Sequence, residues 1–392
     1  MSVSTPPTLD PAGLASWREV SASALAHNVA TLRGLAGPAK LGVVVKADAY
    51  GHGLGPVCQG LVQAGVDWLI VNFAHEAVSV RALVDPGLPI YVCGTVFAHD
   101  APALVDAGAR VVLYDPLVAA ALADVSRARG VVTPVHLKIE TGTHRQGLTT
   151  ADAGALAARV RELGSLTLEG LTTHFADIED STDHRFAESQ LAALHEAQRA
   201  LAAQGLSVPM VHAANSAATI LDERTRGDLV RVGIAAYGLW PSKETLAAFK
   251  ERHGRTPPTL SPVLSWRARL AQVKDVPAGA YVGYGRTFRT TRASRIGILP
   301  VGYHEGYDRR LSNVGHVLVR GQRAPVRGRV CMNMGMVDLT DVPGAAAGDV
   351  ATLLGSDGEE RISAEQLAAW MGTIHYEAVA RIHGGQPSQL LP

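Results

Sequence analysis

Between residues 23 and 235 eight short apolar runs alternate with Ala- and Leu-rich stretches of helical spacing, and this alternation limits the possible folds more than any other feature of the chain. The runs are LGVVVK (41–46), WLIVN (68–72), PIYVC (89–93), RVVLY (110–114), PVHLKIE (134–140), LTLEGLTTHF (166–175), VPMVHAA (208–214) and LVRVG (229–233). Continuous apolar runs separated by helices mark parallel strands covered on both faces. Eight of them fit a (β/α)8 TIM-like barrel better than an open doubly wound sheet. DHRFAESQLAALHEAQRALAAQG shows the intervening pattern, with an Asp near its start and Gly205 at its close.

After the loop KERHGRTPPTLSP the helices stop. SWRARLAQVKDV, SRIGILPVGY, GHVLVRG, APVRGRV, MGMVDL and DVATLLG read as short strands punctuated by Gly and Pro. One helix, SAEQLAAWMG, comes late, with Ser363 as N-cap and Gly372 as stop. The fold expected is α/β plus β: an N-terminal barrel over 16–252 and a C-terminal mainly-β domain over 253–392, to which SWREVSASAL near the N-terminus lends a strand. Residues 1–15 are expected to be a disordered leader.

Composition removes several function classes. Lys plus Arg number 36 and Asp plus Glu 36, so no basic excess draws nucleic acid. No apolar run is long enough to span a bilayer. The opening MSVSTPPTLDPAG lacks the charged and apolar regions of a secretory signal. Cys58, Cys93 and Cys331 are scattered without a CxxC pair, so neither a metal site nor a disulfide framework is expected. A cytoplasmic enzyme or binding protein is the expectation.

Barrels of this kind place their reacting groups at the carboxyl ends of the strands. There the sequence offers Lys46 on the first run, and His136, Lys138 and Glu140 on the fifth, with Arg145 in the loop TGTHRQG. His174 closes the sixth; His212, Asn215 and Ser216 follow the seventh; Arg231 and Gly233 lie on the eighth. Such a mouth suits an anionic ligand, with Ser216 and the backbone near Gly233 and Ile234 as donors to a phosphate. Packing against Val43 to Val45 disfavours a charged ammonium at Lys46, and a neutral buried amine is a nucleophile toward aldehydes. A phosphorylated aldehyde held by a lysine is pyridoxal 5′-phosphate. A lysine that merely snorkels from a strand end would explain Lys46 alone, but not the other strand-end groups.

VVKADAYGHG resembles the cofactor-lysine motif of the alanine racemase family, pyridoxal-phosphate enzymes of fold type III. VHLKIETGTHRQG, THFA, HAANSAAT, VRVGIAAYGLWPS, VGYGRTF, PVGYHEGY and GRVCMNMGMVD follow in that family's order and spacing, from about Trp17 onward. The resemblance implies an isomerase that interconverts L- and D-alanine by a two-base mechanism and supplies D-alanine for peptidoglycan. Lys46 would hold the cofactor, and Tyr284, reaching in from a partner subunit, would be the opposing base, so a homodimer with a shared site is implied. Tyr50, Ser216, Gly233 and Ile234 match the phosphate contacts. Arg231 matches the residue facing the pyridine nitrogen, with His212 holding it, Asn215 supporting the site, and His174 and Arg231 tuning the tyrosine. Arg145 matches a contact to cofactor and substrate carboxylate, Met332 a substrate contact, Tyr303 the access channel, and Lys138 a lysine often carried as a carbamate.

Some positions depart from the pattern. Asn333 stands where the family has Asp, His304 and Glu305 where it more often has Ala and Asp, and counting from IHYE puts Gly384 where some members have a pocket-narrowing Tyr. These changes leave open a racemase for serine or a broader set of amino acids. A decarboxylase of the same architecture would pair the pyridine nitrogen with a carboxylate and use a cysteine, against Arg231 and Tyr284. A non-catalytic cofactor carrier would lack the β-domain. His75, His99, His184 and His316 read as surface residues, His52 as loop structure, Tyr237 as packing and Cys331 as a buried filler.

Overall fold

The computed structural model describes residues 13–254 and 256–392, so the leader expected over 1–15 lies, up to residue 12, outside the described residues. The chain divides into two compact units, one built from residues 24–46 and 58–261, the other from residues 47–57, 262–392 and the described residues up to 23. Among the described residues no helix is long and apolar enough to cross a membrane.

The first unit is the barrel. Its strands are β1 (Lys40–Val44), β2 (Trp68–Val71), β3 (Ile90–Val92), β4 (Arg110–Leu113), β5 (Thr133–Lys138), β6 (Leu166–Thr172), β7 (Met210–His212) and β8 (Leu229–Val232). All pair in parallel in the order β7-β6-β5-β4-β3-β2-β1-β8. No ladder joins β7 to β8; two backbone bonds close that seam, Asp228 N–H to Val211 O and Arg231 N–H to Ala214 O, each 2.9 Å. Leu41, Val43, Leu69, Ile70, Val111, Val135, Leu171 and Val230 are fully buried, each worth roughly 1.5–3 kcal/mol of transfer free energy. The intervening helices start and stop where side-chain chemistry dictates. Asp115 accepts the Leu117 N–H at 2.7 Å ahead of helix Pro116–Arg129, which ends at left-handed Gly130. Thr149 and Ser242 cap Thr150–Leu163 and Lys243–His253 in the same way.

The second unit is mainly β. Gln322–Pro325, His316–Val319, Val350–Asp357, Leu264–Arg269, Ser16–Ser21 and Ser388–Leu391 lie side by side in that order, and Glu360–Ile362 pairs with Val350–Asp357. Ser16–Ser21 runs antiparallel to Leu264–Arg269, so the N-terminal segment lends its strand as expected. A second sheet joins Gln272–Val276, Ser294–Leu299 and Gly335–Asp338. The late helix, Ala364–Met371, is capped by Ser363 and stopped by Gly372.

One segment the pattern does not foresee follows Lys46. Ala47, Asp48, Ala49 and Tyr50 all have φ of 53–55°, a full turn of left-handed helix without a glycine. At 1–2 kcal/mol per residue the turn costs on the order of 4–8 kcal/mol. Its restraints lie within the β-rich unit. The buried Arg18 pairs with Asp48 at 2.5 Å and donates to Gly51 O at 2.9 Å, while the other Asp48 oxygen accepts the Leu54 N–H at 2.8 Å. Gly51 itself must be glycine, because a Cβ there would meet Val379 O at 1.9 Å.

Candidate active site

The barrel mouth is organised around Arg231 on β8. Its guanidinium is buried. One terminal nitrogen donates to His212 Nδ1 at 2.6 Å and Thr172 Oγ1 at 3.2 Å; the other donates to Thr173 O at 2.8 Å and Ala213 O at 3.0 Å. Four of its five donors are thereby committed, and no bond among the described residues uses the Nε–H. A group whose only spare function is one N–H donor, fixed in a buried frame, suits a neutral acceptor such as an unprotonated ring nitrogen.

Ser216 ties the loop after β7 to the loop after β8, its Oγ accepting the N–H of Gly233 at 2.9 Å and of Ala235 at 3.4 Å. Ile234 opens the short helix that follows Gly233. Asn215 caps Ser216–Leu221 through Oδ1 and reaches Glu179 through Nδ2 at 3.1 Å. Lys46 lies one residue beyond Val45, whose N–H bonds Ile70 O at 2.8 Å. It is half-buried, so the desolvation expected from its apolar neighbours is partial: β1 ends at Val44 and the lysine starts the next turn.

Lys138 is buried at the end of β5, and its Nζ donates to Gln146 Oε1 at 3.2 Å. Burial, with Arg145 and Arg231 adding positive charge, holds its pKa down to about 8. Gln146 in turn donates to Thr95 and Tyr114 at 3.0 Å each. Arg145 is exposed on the loop, which Glu140 gathers by accepting the N–H of Gly142 at 2.5 Å and of Arg145 at 3.3 Å. His174 is half-buried, and burial followed by the charge of Arg231, Arg145, Lys138 and Lys46 keeps it neutral, well below the ordinary histidine range. Lys46, Lys138, Arg145, His174, His212, Asn215, Ser216, Arg231, Gly233 and Ile234 thus all belong to the barrel unit.

The other candidates belong to the β-rich unit. Tyr50 closes the left-handed turn, 6.4 Å from the Tyr376 ring. Tyr284 stands at the tip of the hairpin Tyr281–Val282/Phe288–Arg289 and is 73% exposed. Gly283 and Gly285 flank it with φ of 75° and 70°, and a Cβ at either would strike Met336 or Arg329. Tyr303 and Met332 are exposed as well. The departure at Asn333 has a physical reason: its amide donates to Glu305 at 2.7 Å, a carboxylate that also accepts the Gly302 N–H at 2.8 Å. An Asp at 333 would set two like charges together. Gly384 is exposed, and a Cβ there would have Asp48 as its nearest neighbour at 3.5 Å, so a side chain is absent rather than excluded.

Three readings of single residues need correction. His184 is buried and bonds Arg252 at 2.8 Å. His316 is half-buried against Trp370, 5.5 Å between ring centres. Cys331 does pack against the cluster of Val282, Ile296 and Met336, but it is half-buried rather than buried. The sequence reading gave Glu169 no role, although a lone carboxylate inside the run LTLEGLTTHF was a signal, since a charge within a barrel strand needs a partner.

Residues 20–241 match the model of the alanine racemase N-terminal domain and residues 263–389 that of the C-terminal domain. The chain is 36% identical over 375 residues to an alanine racemase of Leptospira interrogans, covering 95% of each protein. It is 39% identical over 368 residues to one of Syntrophobacter fumaroxidans, covering 94% of this chain and 95% of that one. Among solved structures, alanine racemase from Streptomyces coelicolor A3(2) superposes with a TM-score of 0.87 at 34% identity, over 97% of this chain and 99% of that one. The Bartonella henselae alanine racemase, solved with covalently bound pyridoxal phosphate, gives 0.81 at 25% identity, over 96% and 100%.

Proposed function

This chain belongs to the alanine racemase family, and from that premise we propose that it interconverts L- and D-alanine with pyridoxal 5′-phosphate at the barrel mouth, using Lys46 and Tyr284 as two bases. The cofactor, when bound, supplies an electron-withdrawing ring that acidifies the substrate Cα–H. Lys46 would hold it, Ser216, Gly233, Ile234 and Tyr50 would hold its phosphate, and Arg231 would face its ring nitrogen. Inversion at a carbon requires a proton taken from one face and another delivered to the opposite face, so two separate groups are needed. Lys46 Nζ and Tyr284 Oη are the atoms assigned. Arg145 and the Met332 backbone orient the substrate carboxylate, and Tyr303 borders its access. His174, neutral and among cations, supports Tyr284, and Lys138, whose amine is partly neutral near pH 8, is open to carbamate formation. The exposure of Tyr284, Tyr303 and Met332 supports a homodimer in which the partner completes the site. The reading places the enzyme in the cytoplasm, where its D-alanine feeds peptidoglycan.

The observation that carries this reading is the Nε–H of the buried Arg231, which no bond among the described residues uses while the four terminal N–H groups are engaged. A donor that does not deprotonate leaves the ring a weaker electron sink, which favours prompt reprotonation over side reactions. The test incubates the purified protein with cofactor and single L-amino acids in deuterium oxide. Deuterium at Cα together with the D-enantiomer of alanine is the expected result, and an equal or larger turnover of serine would shift the substrate assignment. Carbon dioxide release without racemisation would replace it with a decarboxylase.

A further inference from the structure

Beneath Arg231 a line of side chains crosses the inside of the barrel, and the two-base reading uses only its upper end. Arg231 meets His212 Nδ1 at 2.6 Å; His212 Nε2 meets His136 Nδ1 at 2.8 Å; His136 Nε2 meets Glu169 Oε2 at 2.8 Å. Both histidines are fully buried. Glu169 is partly exposed, with Arg110 at 3.5 Å, and it lines a cleft with Lys40, Met210 and Asp228. Tyr91 flanks both imidazoles, its ring centre 4.7 Å from that of His136 and 5.4 Å from that of His212.

The backbone is shaped to admit this line. The β5–β6 ladder pairs Val135 with Leu168 and His136 with Gly170, so Glu169 is the extra residue of a bulge, a device that re-aims a side chain. Gly170 makes room, since a Cβ there would stand 2.0 Å from His136 Nδ1. The polarity is fixed from both ends. Arginine only donates, so His212 Nδ1 accepts. Burial, then the Arg231 charge, keeps His212 neutral, so its one proton is on Nε2 and goes to His136 Nδ1. Burial also keeps His136 neutral, so its proton is on Nε2 and goes to Glu169. Burial alone would raise the Glu169 pKa, but the His136 bond and the Arg110 charge outweigh it and leave an ionised acceptor.

We propose that Glu169 and His136 are positioning residues for Arg231, a carboxylate at the far end of the barrel fixing both imidazoles as Nε2–H tautomers and polarising the acceptor that holds the guanidinium. A chain of aligned hydrogen bonds strengthens each member, so the carboxylate acts on Arg231 without touching it. The consequence for turnover rests on the proposed role of Arg231; the tautomers do not.

The test is 15N NMR of the full chain labelled in its histidine rings, with His136→Gln and His212→Gln used for assignment. Both rings are expected to show neutral Nε2–H patterns at neutral pH. Glu169→Leu shifts the His212 nitrogens although the two residues make no contact, and Glu169→Gln, which keeps an acceptor oxygen, restores the wild-type pattern. A proton on Nδ1 of either wild-type ring overturns the proposal even if Glu169→Leu fails to fold, and so do unmoved His212 signals in Glu169→Leu. In turnover, Glu169→Leu lowers kcat by roughly 10-fold or more with KM little changed, as loss of an outer partner does at comparable sites, and Glu169→Gln recovers most of it. The expected tautomers without any racemisation would sink the functional reading and leave the relay standing.

Discussion

The barrel mouth and the Tyr284 hairpin are built in opposite ways. At the mouth the anchoring groups are buried and bonded: Arg231 has four N–H groups engaged, and Ser216 and Asn215 each tie down a loop or helix end. On the β-rich unit Tyr281, Tyr284, Tyr303, Met332 and Met334 are each between 44% and 73% exposed. Bulky side chains held by a rigid scaffold but left uncovered suit a surface that meets another chain. The difference teaches that preorganisation here is divided: one set of groups is finished within its own unit, and the other is left uncovered, to be completed by a partner on the proposed reading.

The largest expected effect breaks the chemistry on each side in turn. Lys46→Ala and Tyr284→Phe should each lower kcat by roughly 10²–10⁴-fold, the range for loss of a positioned acid–base group. They should also abolish proton abstraction from opposite enantiomers, read as deuterium uptake from L- and D-alanine separately. If Tyr284→Phe keeps both directions, the hairpin has no chemical part and the comparison collapses to packing.

Acid should strike the ordered groups. His52 is buried in the loop beyond the left-handed turn, and burial pulls its pKa down to about 4; His136, His174 and His212 are lowered too, each chiefly by burial. Their unfolded values lie near 6.5, so between the two values the unfolded chain binds more protons than the folded one. Stability is therefore full above about pH 6.5 and is lost as pH falls toward about 4, with His52 alone contributing roughly 3 kcal/mol. Urea unfolding across this window measures it, and His52→Asn should flatten the acid limb. Unchanged stability from pH 7 to 5 would mean that these rings are charged in the native state.

A smaller effect sharpens the mouth itself. With its pKa held down to about 8, Lys138 becomes increasingly neutral from pH 7 to 9. 13C-bicarbonate should then give a carbamate signal that Lys138→Ala lacks, with a change in rate of only a few-fold, the scale of about 1 kcal/mol. A spectrum without that signal at any pH leaves Gln146 as the lysine's anchor among the described residues.

The eight apolar runs placed every barrel strand because strands buried on both faces are mostly apolar, and the polar residues inside them, such as His136, Glu169 and Arg231, are too few to break that pattern. The cap at Ser363 was legible for an equally local reason. The turn after Lys46 was not. Ala47, Asp48 and Ala49 carry no glycine to announce positive φ, and what holds them, Arg18, is 30 residues away from Asp48. Likewise the bulge at Glu169 arises from pairing between strands, which no single run encodes. Strand-end reading gathered the mouth because all its members share one barrel, whereas the hairpin tyrosine entered through resemblance alone.

Mixing the two inactive variants tests the division most directly. If Lys46 of one chain works with Tyr284 of its partner, Lys46→Ala and Tyr284→Phe chains unfolded together and refolded at equal amounts form heterodimers with one complete site. Activity should then rise from near zero to roughly a quarter of wild type, since about half the dimers are mixed and each regains one site of two. A mixture that exchanges subunits yet stays as inactive as its parents would contradict a site shared between chains.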